Sequence, residues 1–269
     1  MSLNYPFWVN DFDRVKDYKE QYPLATKIFE KPVSFWYGSR NGKQMEKMDY
    51  SIQRLLRRTA PQLPVLVVYN MPNRESYLKF LKSFADGIGN NKPILIFEPD
   101  SLTHTGDMSD ADAQDRISLM KEGLALLTDN CDALVYVDIG HSNWLSPEEA
   151  ANLINKVTND KVRGFAVNVS NYRTTKESME WSLKLCEHRP NDYFVIDTSR
   201  NGNGPAGNEW CNPPGRAVGK EPTCNTGEEQ CDAFLWIKIP GESDGKLNKG
   251  PRAGRFWGEM AEVLVKNDS

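Results

Sequence analysis

Short apolar runs recur along this chain, each followed by a longer stretch with helical spacing. Val33 to Tyr37, Val65 to Tyr69, Ile94 to Glu98, Leu134 to Asp138, Val162 to Val169, Tyr193 to Asp197 and Ala233 to Lys238 read as strands. Nearly all are continuous rather than alternating, the pattern of strands covered on both faces. Met48, Ile52, Leu55 and Leu56 mark a helix over Met45–Thr59, with arginines at its end. Tyr77, Leu78, Leu81 and Phe84 mark another over Glu75–Ala85. Further helices are predicted over Ala111–Leu127, Pro147–Val157 and Glu177–Cys186, with a closing helix over Arg255–Val265. Near the start, Leu24–Phe29 predicts a short helix, and Tyr5–Asp13 shows no period.

Strand and helix alternate about seven times, which predicts an α/β fold with a parallel sheet wrapped by helices. So many units in a chain of 269 residues suit a barrel-like, TIM-like closure, with residues 1–269 as a single catalytic domain. Asn201 to Gln230 is rich in Gly, Pro and Asn, a loop long enough to be functional or disordered.

Composition narrows the function classes. A formal net charge of −4 gives no nucleic-acid footprint and no attraction to anionic membranes. No stretch approaches the roughly 20 apolar residues of a membrane helix. Met1 to Pro6 lacks the basic and apolar regions of a signal peptide, so either the chain is cytosolic or its targeting segment has been removed. Seven tryptophans supply core packing or flat platforms for sugar rings. Five cysteines leave at least one unpaired. Cys131 and Cys186 read as buried thiols. Among Cys211, Cys224 and Cys231 one disulfide is expected, with Cys224–Cys231 the simplest closure. The cysteine spacings and the scattered His104, His141 and His188 do not make a zinc site. No phosphate loop follows Gly202 and Gly204, so neither a metal nor another cofactor is expected.

The predicted strand tips carry the chemistry: Trp36-Tyr37, Tyr69-Asn70, Glu98-Pro99-Asp100, Asp138, Asn168, Asp197 and Lys238. Alone, Asp100 reads as a helix cap shared with Ser101. A ring of such residues instead implies one polar, acidic mouth at the C-terminal end of the barrel. Carboxylates crowded there raise one another's pKa, which suits acid/base work on an uncharged polar substrate.

Several blocks are also recognisable: Val67 to Arg74 (Val-Val-Tyr-Asn-Met-Pro-Asn-Arg), Glu98-Pro99-Asp100-Ser101-Leu102, Tyr136 to His141, Gly164 to Tyr172, Asp197 to Gly202, Trp210 to Gly215 and Lys238 to Gly245. In this order they resemble glycoside hydrolase family 6, from about Trp36 to Trp257. The family cuts β-1,4-glucan with inversion on a distorted seven-stranded parallel β/α barrel, and the Trp210 block is similar to its endoglucanase branch. By that resemblance Asp100 is the general acid and Asp244, which otherwise reads as an Asp-Gly turn residue, is the candidate base. Tyr69 distorts the reacting sugar, and Glu75 helps keep the acid protonated. Trp36, Trp144 and Trp210 match sugar-stacking positions. Asp138, His141 and Asn171 fall in barrel-mouth blocks, and Lys238 and Glu242 match residues bonded to the sugar beside the cut. Core hydrogen bonding for Asp138 and His141, strand-end packing for Tyr69 and a plain Lys–Glu pair remain the structural alternatives.

The resemblance also has gaps. The family's acidic triplet is Asn73-Arg74-Glu75 here, one methylene longer at its last acid, and Asn70 replaces another acid. A glycine- and serine-bearing loop of roughly twenty residues that closes over substrate in the family is missing after Glu75, which weakens the hold on catalytic water. Ser76 and Lys246 stand where the family has cysteines. The expectation is therefore a slow, open-cleft, inverting endo-β-1,4-glucanase: a monomer acting on cellulose or cello-oligosaccharides, with no nucleic-acid partner and no membrane contact of its own. It is expected to be extracellular, either secreted or as an outward-facing domain of a larger protein, as in members attached to animal cellulose synthases. The alternatives are a glucan-binding domain with little catalysis, or an enzyme for another β-glucan.

Overall fold

The computed structural model describes residues 3–38, 48–69, 71 and 73–268, except the side chains of residues 13 and 14. Asn70 and the predicted helix start at Met45 lie outside these residues. Seven strands form one sheet in sequence order: β1 Phe35–Gly38, β2 Leu66–Tyr69, β3 Ile94–Phe97, β4 Leu134–Asp138, β5 Gly164–Val167, β6 Tyr193–Asp197 and β7 Cys231–Leu235. Every neighbouring pair is parallel. The register aligns the tips, with Phe97 beside Val68 and Val137, so the polar residues that follow gather at one end.

Strand side chains alternate between two cores. Val67, Ile94, Ile96, Tyr136, Val195, Ala233 and Leu235 fill the inside of the curl. Leu66, Val68, Leu95, Phe97, Val135, Val137, Phe165, Phe194 and Ile196 face the helices. Because both faces are buried, the strands read as unbroken apolar runs. Tyr5 plugs the end opposite the polar tips: its hydroxyl donates to Pro64 O (2.8 Å) and accepts from Ile94 N (2.9 Å).

Of the helices, α1 is Asp13–Gln21, α2 Thr26–Phe29, α3 Met48–Thr59, α4 Arg74–Ile88, α5 Asp110–Asn130, α6 Pro147–Val157, α7 Thr175–His188 and α8 Gly258–Lys266. α1 was hidden from the pattern because its segment, Asp-Arg-Val-Lys-Asp-Tyr-Lys-Glu-Gln, is mostly charged. The short apolar stretch after it opens as a 3-10 turn at Pro23–Ala25 before α2. Ala25, Ile28 and Phe29 pack with Trp236, Ala261 and Leu264, so the two chain ends jointly cover the seam between β1 and β7. That seam is bridged just beyond β7, where Ser34 N donates to Trp236 O (3.2 Å) and Trp36 Nε1 to Ile237 O (2.9 Å).

The expected disulfide is not formed: all five cysteines are free thiols. Cys231 lies in β7 and is buried, and Cys224 is half-buried against the plug around Tyr5.

Candidate active site

A cleft of about 1070 Å³ opens over the C-terminal ends of the strands. Of the residues singled out in the sequence it is lined by Trp36, Tyr69, Asp100, His141, Trp144, Asn171, Trp210, Lys238, Glu242 and Asp244. Asp138 lies buried beneath it, and Glu75 is not part of its lining.

Asp100 sits past β3 on a strained turn. Glu98 and Asp100 have positive φ (51° and 65°), a region that residues with a Cβ seldom adopt. The turn is held from beneath: the Glu98 carboxylate accepts from Tyr77 Oη (2.7 Å) and Ser101 Oγ (3.2 Å). Asp138 Oδ1 accepts from Asp100 N (2.8 Å) and Gly140 N (3.0 Å). Gly140 is required here, since its φ is 72° and a Cβ would come within 2.9 Å of Trp144 and 3.1 Å of Thr103 Oγ1.

Burial raises the Asp100 carboxyl above its ordinary range. A proton on the nearby His104 ring would oppose this, and the charge of Asp244 adds to it. Burial also raises Asp138 well above its ordinary value, with the charge of Asp100 adding to the shift, and among the described residues its Oδ2 has no hydrogen-bond partner. Two adjacent carboxyls that resist ionisation form a proton-holding pair.

Asp244 is the opposite case. Its Oδ2 accepts from Arg200 Nη1 (2.8 Å), Tyr172 Oη (3.1 Å) and Asn212 N (3.1 Å), and its Oδ1 lies 3.2 Å from Lys238 Nζ. Burial works to raise its pKa, but Arg200 and Lys238 outweigh burial and hold the carboxyl below its usual value. Lys238 is pushed down by burial and by Arg200, while Asp244 and Glu242 favour its charged form. Arg200 and Tyr172 were not singled out from the sequence, although both stand in the quoted blocks. Their part in the site depends on loops from β5, β6 and β7 meeting.

The other candidates divide by what they touch. Trp36 and Tyr69 meet edge to face, with ring centroids 5.5 Å apart, and Tyr69 is 37% exposed to the cleft. Trp210 projects from the rim, 62% exposed. Asn171 Nδ2 donates to Val169 O (2.9 Å). His141 is lowered to about 4, chiefly by burial and then by Arg173, and stays neutral beside Trp144. Asp197 is a scaffold residue. Its two oxygens accept from the backbone N–H groups of Ser170, Ser199, Ile237 and Lys238, tying together the loops that carry Asp244's partners.

Glu75 departs from its expected place. It lies in the first turn of α4, largely exposed, with its carboxylate 2.6 Å from Lys79 one turn on. Lys79 lowers its pKa, and the carboxylate pairs with that lysine rather than taking up a place in the cleft lining. The cause is local. Asn73 caps α4 by accepting from Ser76 N (3.0 Å), so only four residues separate β2 from the helix, and Glu75 follows the helix outward.

Residues 9–268 match the family model described as glycosyl hydrolases family 6. The chain belongs to that family. Among family 6 relatives it is 39% identical over 259 residues to Endoglucanase A of Cellulomonas fimi, covering 91% of this chain and 56% of the relative. It is 38% identical over 263 residues to Endoglucanase A of Thermobispora bispora, covering 91% and 57%. The chain thus spans little more than half the length of these relatives. Among solved structures, the endoglucanase Cel6 from Mycobacterium tuberculosis, in complex with methyl-cellobiosyl-4-deoxy-4-thio-β-D-cellobioside, superposes with a TM-score of 0.88. The two are 33% identical, over 98% of this chain and 97% of that one. The catalytic core of the cellobiohydrolase Cel6A from Chaetomium thermophilum shares the fold, with a TM-score of 0.79 at 24% identity. The barrel-like parallel α/β fold predicted from the strand pattern is thus the fold of family 6, with its seven strands forming a curled half-barrel.

Proposed function

We propose that this protein hydrolyses β-1,4-glucosidic bonds in cellulose or cello-oligosaccharides with inversion, acting within the chain from an open cleft. One observation carries the reading: a carboxyl that resists ionisation, Asp100, and a carboxylate kept ionised, Asp244, line the same aromatic-walled cleft. Inversion requires such a pair on opposite faces of the sugar, about 6.5–9.5 Å apart, with room for water. Asp100 donates its proton to the departing sugar oxygen. Asp138, itself reluctant to ionise, orients Asp100 through the Asp100 N–H. Asp244 holds the negative charge that faces the developing oxocarbenium ion and orders the attacking water. The proton that the water loses passes directly or along a chain of waters to the Asp244 carboxylate, which its two cations keep ionised and ready to receive it. Trp36, Trp144 and Trp210 offer ring faces to the glucan, and Tyr69 presses on the sugar between them. Residues 1–269 act as one catalytic unit outside the cell, where polymeric glucan lies. Burial pushes the Cys186 thiol up to about 12 and raises Cys211 and Cys231, which keeps these thiols inert in an oxidising space.

The test is incubation with cellohexaose, with products followed by chromatography and their anomeric form by NMR. Release of shorter oligosaccharides, first as the α-anomer and abolished by Asp100→Ala, is the expected result. Binding without products supports the second reading, a glucan-binding domain, which the outward placement of Glu75 favours.

A further inference from the structure

The end of the cleft near β4 carries a histidine that the family resemblance leaves unassigned. His104 lies in the 3-10 turn Thr103–Asp107, which starts directly behind the acid, and its backbone N–H donates to Asp100 O (3.0 Å). It lines the cleft, and its ring lies at 78° to that of Trp144, with centroids 4.8 Å apart. His141 flanks Trp144 as well, at 5.5 Å. Two imidazoles therefore pack against one indole, although the three residues come from two separate loops.

The hydrogen bonds assign their tautomers. A carboxylate only accepts, so the contact of His104 Nδ1 with Asp107 Oδ2 (3.2 Å) places a proton on Nδ1. In the neutral ring, Nε2 of His104 is then an acceptor. At His141, Nδ1 itself accepts from Asn143 N (3.3 Å), which leaves the proton on Nε2. The indole thus has both an acceptor and a donor beside it. A pyranose with equatorial hydroxyls presents the complement: an apolar face for the indole and both hydroxyl hydrogens and oxygens at its rim.

We propose that His104 is a sugar-binding residue of this cleft, accepting through Nε2 a hydroxyl hydrogen bond from the glucosyl unit that stacks on Trp144, with Asp107 fixing the ring. The proposal rests on the glucan reading above. It makes His104 a determinant of where along the chain the enzyme cuts, because a unit anchored next to Asp100 sets the register of the remainder.

Cellohexaose binding, measured by calorimetry in the Asp100→Asn protein, tests it. His104→Phe keeps the ring edge against Trp144 and removes the acceptor; it should weaken binding about 3- to 10-fold, the worth of one hydrogen bond. His104→Gln restores a side-chain acceptor and should recover most of that loss, which a purely structural role would not do. In the catalytically intact protein, His104→Phe should raise KM with kcat nearly unchanged and shift the proportions of cellobiose, cellotriose and cellotetraose. Binding by the His104→Phe protein within twofold of its parent, with thermal melts showing both folded, overturns the proposal. If the parent itself fails to bind cellohexaose, the glucan reading falls first and takes this one with it.

Discussion

Asp244 and Glu75 show how the same side-chain chemistry acquires opposite meanings from its surroundings. Asp244 is nearly buried between Arg200 and Lys238, whose side chains are also nearly buried. Asp244→Asn leaves those cations unpaired, which should cost about 3–5 kcal/mol and lower the melting temperature on the order of 10 °C at pH 7. The sign of its pH dependence follows from the depressed carboxyl. Its stabilisation is present above the usual carboxylate range and is lost as pH falls through the folded value. The melting-temperature gap between wild type and Asp244→Asn should therefore shrink in melts below about pH 4. The Glu75 carboxylate, by contrast, is exposed and pairs with Lys79. Glu75→Gln should leave the rate on cellohexaose within about twofold; a loss of tenfold or more would mean that its carboxylate reaches the acid during the reaction. His104, His141 and Trp144 look scattered in the sequence because nothing in linear spacing reveals that the turn after β3 and the loop after β4 lie side by side.

At the scale of elements, α4 decides how open the cleft is. Asn73 starts the helix almost as soon as β2 ends, and Arg74 fastens it to α5 through Asp115 (2.8 Å) and Glu122 (2.6 Å). Asn73→Ala should cost about 1 kcal/mol, read as a fall of roughly 2–4 °C in melting temperature. Because the cap and neither carboxyl of the proposed pair, Asp100 and Asp244, is removed, kcat at 25 °C should stay near wild type; a collapse of kcat would tie the cap directly to the chemistry. The helices with clear apolar spacing, α3, α4 and α6, were legible in the sequence because one face of each must cover the sheet. The charged α1 was not, because its place is set by packing against the chain ends rather than by its own pattern.

Across the whole molecule, the proposed active-site cleft and a buried ion-pair network lie at opposite ends of the sheet. At the end away from the cleft, Asp232 accepts from Tyr136 Oη (2.6 Å) and from Arg163 Nε and Nη2 (2.8 and 2.9 Å). Asp232→Ala should cost about 3 kcal/mol by stranding Arg163 and Tyr136, while activity per folded molecule is retained. Unfolding in urea together with a rate per active site checks both halves; a lost rate in a folded protein would refute the separation. The sequence by itself determined the seven buried strands, their alternation with helices and the polar residues at their tips, because burial on both faces leaves an apolar signature and strand ends have few alternatives. The resemblance named Asp100 and Asp244, but only the tertiary structure decided their surroundings, one carboxyl buried beside Asp138 and the other set between Arg200 and Lys238. Whether an acid holds its proton or gives it up depends on burial and on cations brought from distant loops, and those distances are written in no local pattern.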